Sequence, residues 1–202
     1  MRFSKALLWC GVLAGPLYLV VGLSHALLRP GFDLTKYPLS LLSNGDWGWV
    51  QIANFVVTGL LVVAAALGWS RSRAGSEHRA APWLLGVYGA ALIASGIFVA
   101  DPVPGFPVGA VVPASMSPWH FVAGALGFFA LGGACFTASR RFSRQGLHGW
   151  SHFSWLTGGL FLLSFMTLAS GGGNPWTLLA FWLGLTLTWV WLGAVSWRLR
   201  TA

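Results

Sequence analysis

Residues Val50–Trp69 read VQIANFVVTGLLVVAAALGW, twenty positions without a charge. A bilayer's hydrocarbon core is about 30 Å thick and takes about 20 apolar residues to cross as a helix. Only a helix or a closed barrel satisfies its own backbone there, so the stretch reads as a transmembrane helix. Its flanks give it a direction. Asp46, Trp47 and Trp49 precede it, and Arg71 and Arg73 follow it. Tryptophan collects at the membrane interface and basic residues collect on the cytoplasmic side.

Moving outward, five more stretches fit the same rule: Ala6–Leu28, Pro82–Ala100, Trp119–Ser139, Phe153–Ala169 and Pro175–Trp197, the fifth span in chain order being the shortest. The whole chain agrees, with 56% hydrophobic and 8% charged residues against the roughly 25% charge of soluble domains. The expectation is an all-α, polytopic membrane protein with residues 1–202 as one domain, a compact bundle of six helices. Helix-start chemistry supports several spans. Asp46 is expected to cap the second, Ser117-Pro118 the fourth and Asn174-Pro175 the sixth, since a side-chain oxygen accepts orphan N–H groups.

The basic residues sort by side. Arg2, Lys5, Arg71, Arg73, Arg79, Arg140, Arg141, Arg144, Arg198 and Arg200 fall at one set of span ends, leaving Arg29 and Lys36 at the other. The positive-inside rule then puts both termini in the cytoplasm of a cell membrane. Trp47, Trp49, Trp119 and Trp176 mark the outer interface, and Trp69, Trp83, Trp150, Trp155 and Trp197 the inner one. The start of the chain can also be read as a signal peptide ending near Ser24-His25-Ala26, but its long apolar run and Gly11-x-x-x-Gly15 spacing favour a first bundle helix. A net charge of +8 does not signal nucleic acid, because the charges sit between apolar spans and form no basic face. Cys10 and Cys135 lie within apolar runs and suggest neither a disulfide framework nor zinc.

The chain repeats itself. Pro30 opens PGFDLTKYPLS and Pro104 opens PGFPVGAVVPAS, and aligning Trp49 with Trp119 carries the match into the following spans. A duplication of a two-helix unit is one reading; the recurrence of Pro and Gly in any loop is the other.

Polar chemistry gathers on the outer side. Asp33, Asp46 and Asp101 lie there and Glu77 inside; His25 and His120 sit at outer span ends, with Ser40, Ser43, Asn44, Gln51, Asn54, Ser115 and Ser117 at similar depth. Asp101 follows a helix C-terminus, which disfavours a carboxylate, so Arg29, His25 or His120 are its expected partners. A neutral His120 beside Asp101 would suit a general base or metal ligand; the plainer reading is a histidine bonded to a loop carbonyl. No Gly-x-Ser-x-Gly elbow surrounds Ser40 or Ser43. His148 and His152 share one helical face without a nearby carboxylate or cysteine. No span carries Lys, Arg, Asp or Glu near its middle, which argues against a proton-coupled carrier.

LAGPLYLVVGLSHALLRPGFDLTKYPLSLLSNGDWGWVQIANF, GIFVADPVPGFPVG and WHFVAGALGFFAL together resemble the bacterial integral membrane family called domain of unknown function 998. The resemblance implies a compact six-helix fold and brings no activity with it. A fainter likeness, to six-helix Frag1/DRAM-type proteins linked to lipid handling, rests on helix count and outer-face polarity.

Three functions follow as expectations. The first is binding of a membrane lipid or similar amphiphile in a polar outer pocket built from Arg29, Ser40, Ser43, Asp46, Asn54, Asp101 and His120. The second is a lipid hydrolase or acyl-transfer enzyme in which His25, Asp101 and His120 act as catalytic groups or hold a divalent metal. The third is a structural subunit packing on a membrane partner or a second copy through Gly11-x-x-x-Gly15, Gly86-x-x-x-Ala90 and Ala130-x-x-x-Ala134. The residues specify no organic cofactor.

Overall fold

The computed structural model describes residues 2–72, 80–171 and 174–201; Arg73, Glu77 and Arg79 lie outside them. The described chain is all-helical: α1 (Arg2–Leu28), a short 3-10 helix (Leu39–Ser43), α2 (Gly48–Arg71), α3 (Ala80–Ile97), α4 (Trp119–Arg144), α5 (His148–Ala169) and α6 (Pro175–Thr201). All six α-helices are long and apolar enough to cross a membrane.

Their packing forms a ring. Each helix lies against its sequence neighbours, and α6 returns to α1 to close the circle. One end of the ring carries the α1–α2 and α3–α4 loops, hereafter the loop end. The other carries both termini. α1 is a full member of this ring, touching both α2 and α6.

Three sequence expectations need correction. The fifth span is longer than expected because His148–His152 extends the helix at its start, so among the described residues α3, at 18 residues, is the shortest α-helix. α3 stops at Ile97, three residues short of the expected Ala100. Trp69 is buried, 1% exposed, and belongs to the core rather than to an interfacial belt.

Lipid tails are as apolar as leucine, so close packing and interhelical hydrogen bonds hold such a ring together. Small residues set the approach. A Cβ on Gly15 would come within 2.8 Å of the Trp189 Cβ, and one on Gly158 within 2.8 Å of the Cys135 Cβ. α2 and α3 cross at Gly59 and Gly89, each of which faces the other's carbonyl. Gly11-x-x-x-Gly15 thus packs inside the ring on α6, and Ala130 and Ala134 are buried. Gly86 makes no such approach; Gly89 does. Hydrogen bonds then join the helices: Trp69 Nε1 donates to Ser196 Oγ at 2.9 Å, and Trp191 Nε1 to Ser154 Oγ at 2.9 Å. Ser139 and Ser151 hydroxyls meet at 3.1 Å, and Asn54 Nδ2 donates to the Tyr18 carbonyl at 3.1 Å.

Candidate functional site

The two Pro-Gly-Phe turns seen in the sequence meet at the loop end. Gly31 and Gly105 both have positive φ, 78° and 88°, a backbone that glycine adopts without strain. Phe32 and Phe106 stack edge to face at 5.1 Å, with Tyr37 5.5 Å from Phe106. Asn44 ties the loops together, donating from Nδ2 to the carbonyls of Leu41 at 3.1 Å and Ala100 at 2.9 Å. Arg29 donates to the Asn44 carbonyl at 2.8 Å and lies over the Phe106 ring at 5.9 Å. Trp182 of α6 donates to the Leu34 carbonyl at 3.2 Å.

Beneath this cap the ring encloses a cavity of about 490 Å³. All six helices and the 3-10 helix contribute to its wall. Tyr18, Phe55 and Tyr88 line one side; Phe128, Phe165 and Phe181 line the other and also pack on one another. Ser40, Ser95 and His120 bring polarity to the loop end. Among the described residues, no Lys, Arg, Asp or Glu lines the wall. Phe121, 63% exposed, and Ala169, also exposed, line it as well, so the cavity reaches the side of the ring between α4 and α5.

The residues expected to form the site do not all converge here. Ser40 and His120 do. Arg29 is engaged with Asn44 and Phe106. Asp101 accepts a hydrogen bond from the Ser117 backbone N–H, across the α3–α4 loop. His120 Nδ1 instead meets the carbonyl of Phe98 at 2.7 Å, so the His120–Asp101 pair does not form. The carbonyl is available because α3 has just ended and its last C=O groups lack helical partners. Asn54 is 4% exposed and is used in joining α1 to α2. Ser43 is buried, its hydroxyl without a hydrogen-bond partner, and stands outside the cavity wall. His25 is 8% exposed with both ring nitrogens unpartnered, and it too stands outside the wall.

Asp46 is exposed and does not cap α2. Trp47 occupies that position without a side-chain bond, because turns from Gly45 to Gly48 and from Trp47 to Val50 start the helix through backbone alone. Pro118 holds the corresponding place before α4, also without a side-chain cap. Asn174 does cap α6, its Oδ1 accepting from the N–H groups of Trp176 and Thr177 at 3.0 Å.

No three His, Cys, Asp or Glu side chains among the described residues stand close enough to hold a metal ion, so His25, Asp101 and His120 form no ligand set. His148 and His152 are both exposed on α5. In the α1–α2 loop, Asp33 accepts from the Thr35 hydroxyl at 2.7 Å and backbone N–H at 2.9 Å and pairs with Lys36 at 3.1 Å. These bonds, chiefly those from Thr35, lower its pKa from 3.8 to about 2.

Sequence reasoning missed Tyr18, Tyr88, Ser95 and the Phe128–Phe165–Phe181 wall. A usable signal was present: of three tyrosines, Tyr18 and Tyr88 lie well inside spans, away from the interfaces tyrosine prefers.

A closed ring of six apolar helices around a largely apolar cavity, with no Lys, Arg, Asp or Glu in its wall among the described residues, defines a multi-pass membrane protein. More narrowly, the chain belongs to the family described as Protein of unknown function (DUF998), which matches residues 12–198. No curated protein and no solved structure matches it.

Proposed function

We propose that the protein holds one amphiphilic, lipid-like molecule in the cavity, its head at the loop end among Ser40, Ser95 and His120. The observation that carries this reading is the cavity wall, largely apolar along its depth, with Ser40, Ser95 and His120 at the loop end and the tyrosines Tyr18 and Tyr88 deeper in, the Tyr88 hydroxyl having no hydrogen-bond partner. Ligand pockets of about 300–1,000 Å³ with a few placed polar groups have this character. The exposed wall residues Phe121 of α4 and Ala169 of α5 mark where such a molecule would enter from the bilayer without crossing water. With ten basic residues assigned to the ends away from the loops, the head would lie in the outer leaflet of a cell membrane. Arg29, Asp101, Asn44 and Asn54 serve the reading indirectly, by holding the cap and the α1–α2 contact over the cavity.

Gly124 lines the cavity, and a Cβ there would meet nothing within 4 Å. Gly124→Leu therefore adds apolar bulk at the wall from a position whose first added atom is unopposed. Native mass spectrometry of the purified protein should show retained mass in the wild type and its loss in Gly124→Leu, with a melting temperature no lower than the ligand-free wild type's. Equal retention in both would remove the cavity from consideration.

A further inference from the structure

The cavity's polar end selects among amphiphiles, and on the reading just given we infer that the molecule held there is uncharged and headed by a hydroxyl group. The first observation concerns one atom. A carbonyl oxygen can only accept, so the 2.7 Å contact with Phe98 places an N–H at His120 Nδ1, and a ring with one N–H has it there. Nε2 is then a bare acceptor on a side chain that lines the cavity. It asks for an O–H or N–H from the ligand and repels a carboxylate or phosphate oxygen.

The second observation is the missing counter-charge. Among the described residues no cation or anion lines the wall. The nearest candidates by sequence are engaged elsewhere, Arg29 on Asn44 and Asp101 on the Ser117 N–H. A charged head drawn from water into this wall would lose its hydration with nothing to replace it, which is costly. A hydroxyl fits both sides of the account. Its proton goes to His120 Nε2, and its oxygen accepts from Ser95 or Ser40. Ser95 lies on α3 three residues before Phe98, the first residue past the helix, and so about one turn from the His120 contact.

The third observation is size. At about 30 Å³ for each water-sized group, the 490 Å³ cavity takes roughly 16 such groups. That is room for a small head and one chain along the Phe128–Phe165–Phe181 wall. The ligand class is therefore a long-chain or isoprenoid alcohol, or a neutral glyceride with one chain inside the ring.

The test compares cetyl alcohol, palmitate at mildly alkaline pH and cetyltrimethylammonium, which share one chain length. Each is titrated into the full chain in the same nonionic detergent and read by native mass spectrometry. Cetyl alcohol should bind about tenfold or more tightly than either ion, an advantage of roughly 1.4 kcal/mol. His120→Phe should erase most of that advantage, while His120→Gln, whose side-chain oxygen can accept, should keep part of it. If palmitate or the ammonium binds as tightly as the alcohol, the head-group inference falls and the cavity reading stands. If no probe binds folded protein, both fall. Should either variant fail to fold, the wild-type ranking decides by itself.

Discussion

The crossing of α2 and α3 offers the most quantitative test of the packing. Gly89→Ala would place a Cβ 2.8 Å from the Gly59 carbonyl oxygen, 2.8 Å from Val63 Cγ2 and 2.9 Å from the Val63 backbone N. Each is short of ordinary contact by roughly 0.5 Å, a range where repulsion rises steeply. Two of these neighbours are backbone, so relief requires moving a helix rather than turning a side chain. Overpacking of this kind costs about 1–3 kcal/mol, and rigid neighbours place it toward the upper end. Against it stands the gain of about 0.5–1 kcal/mol when alanine replaces glycine in a helix.

Gly124→Ala is the matched control, because it takes the same propensity gain and meets no atom within 4 Å. The two variants should separate by roughly 2–3 kcal/mol, or about 5–10 °C in melting temperature for a chain of this size. Tryptophan fluorescence during heating in one detergent measures both. Equal melting of Gly89→Ala and Gly124→Ala would mean that α2 and α3 do not cross at Gly59 and Gly89, and the ring as described would be wrong.

Three further outcomes are expected. Asn44→Ala removes the donation to Ala100 that ties the two loops and the local one to Leu41, and should cost about 1–2 kcal/mol of stability; no change in melting would show the tie to be idle. Asp33 should titrate near 2, below its ordinary 3.8, in carboxyl-labelled NMR spectra. Its folded value is the lower one, so the turn it holds is intact above about pH 4 and loosens as pH falls through 2. Thr35→Val should move the titration back toward 3.8, and an unmoved value would deny the Thr35 bonds their role. Finally, a fluorescent protein fused after Ala202 should glow and a fused alkaline phosphatase should stay inactive, both reporting a cytoplasmic C-terminus. The reverse pattern would invert the orientation and move the cavity to the other leaflet.

Most of the helical frame was legible in the sequence because the bilayer's thickness imposes one length on every span. The ends were less so. α5 begins at His148 although His148–His152 reads as polar, and α2 begins without its expected Asp46 cap because turns through Gly45 start it. The site was only partly legible. Of the residues singled out by depth and polarity, His120 and Ser40 line the cavity. Arg29, Asn54 and Asp101 show the same polarity, yet their side chains bond locally, to the Asn44 carbonyl, the Tyr18 carbonyl and the Ser117 N–H. A cavity is space between helices, set by where Gly15, Gly59, Gly89 and Gly158 let backbones approach and where Phe128, Phe165 and Phe181 hold them apart. No single span records that spacing.

The circular order of the helices also bears on how the protein is made. Five of its neighbour contacts join consecutive helices and can form as each span leaves the ribosome. The sixth, between α1 and α6, is the contact of highest sequence separation and must wait for the last span to be synthesised. Until then the Gly11–Gly15 stripe of α1 lies open in the bilayer, shaped to accept a helix such as the one carrying Trp189 and Ser196. A chain stopped before Pro175 would lack the helix that covers this stripe in the finished ring, so closure of the bundle waits on its last span.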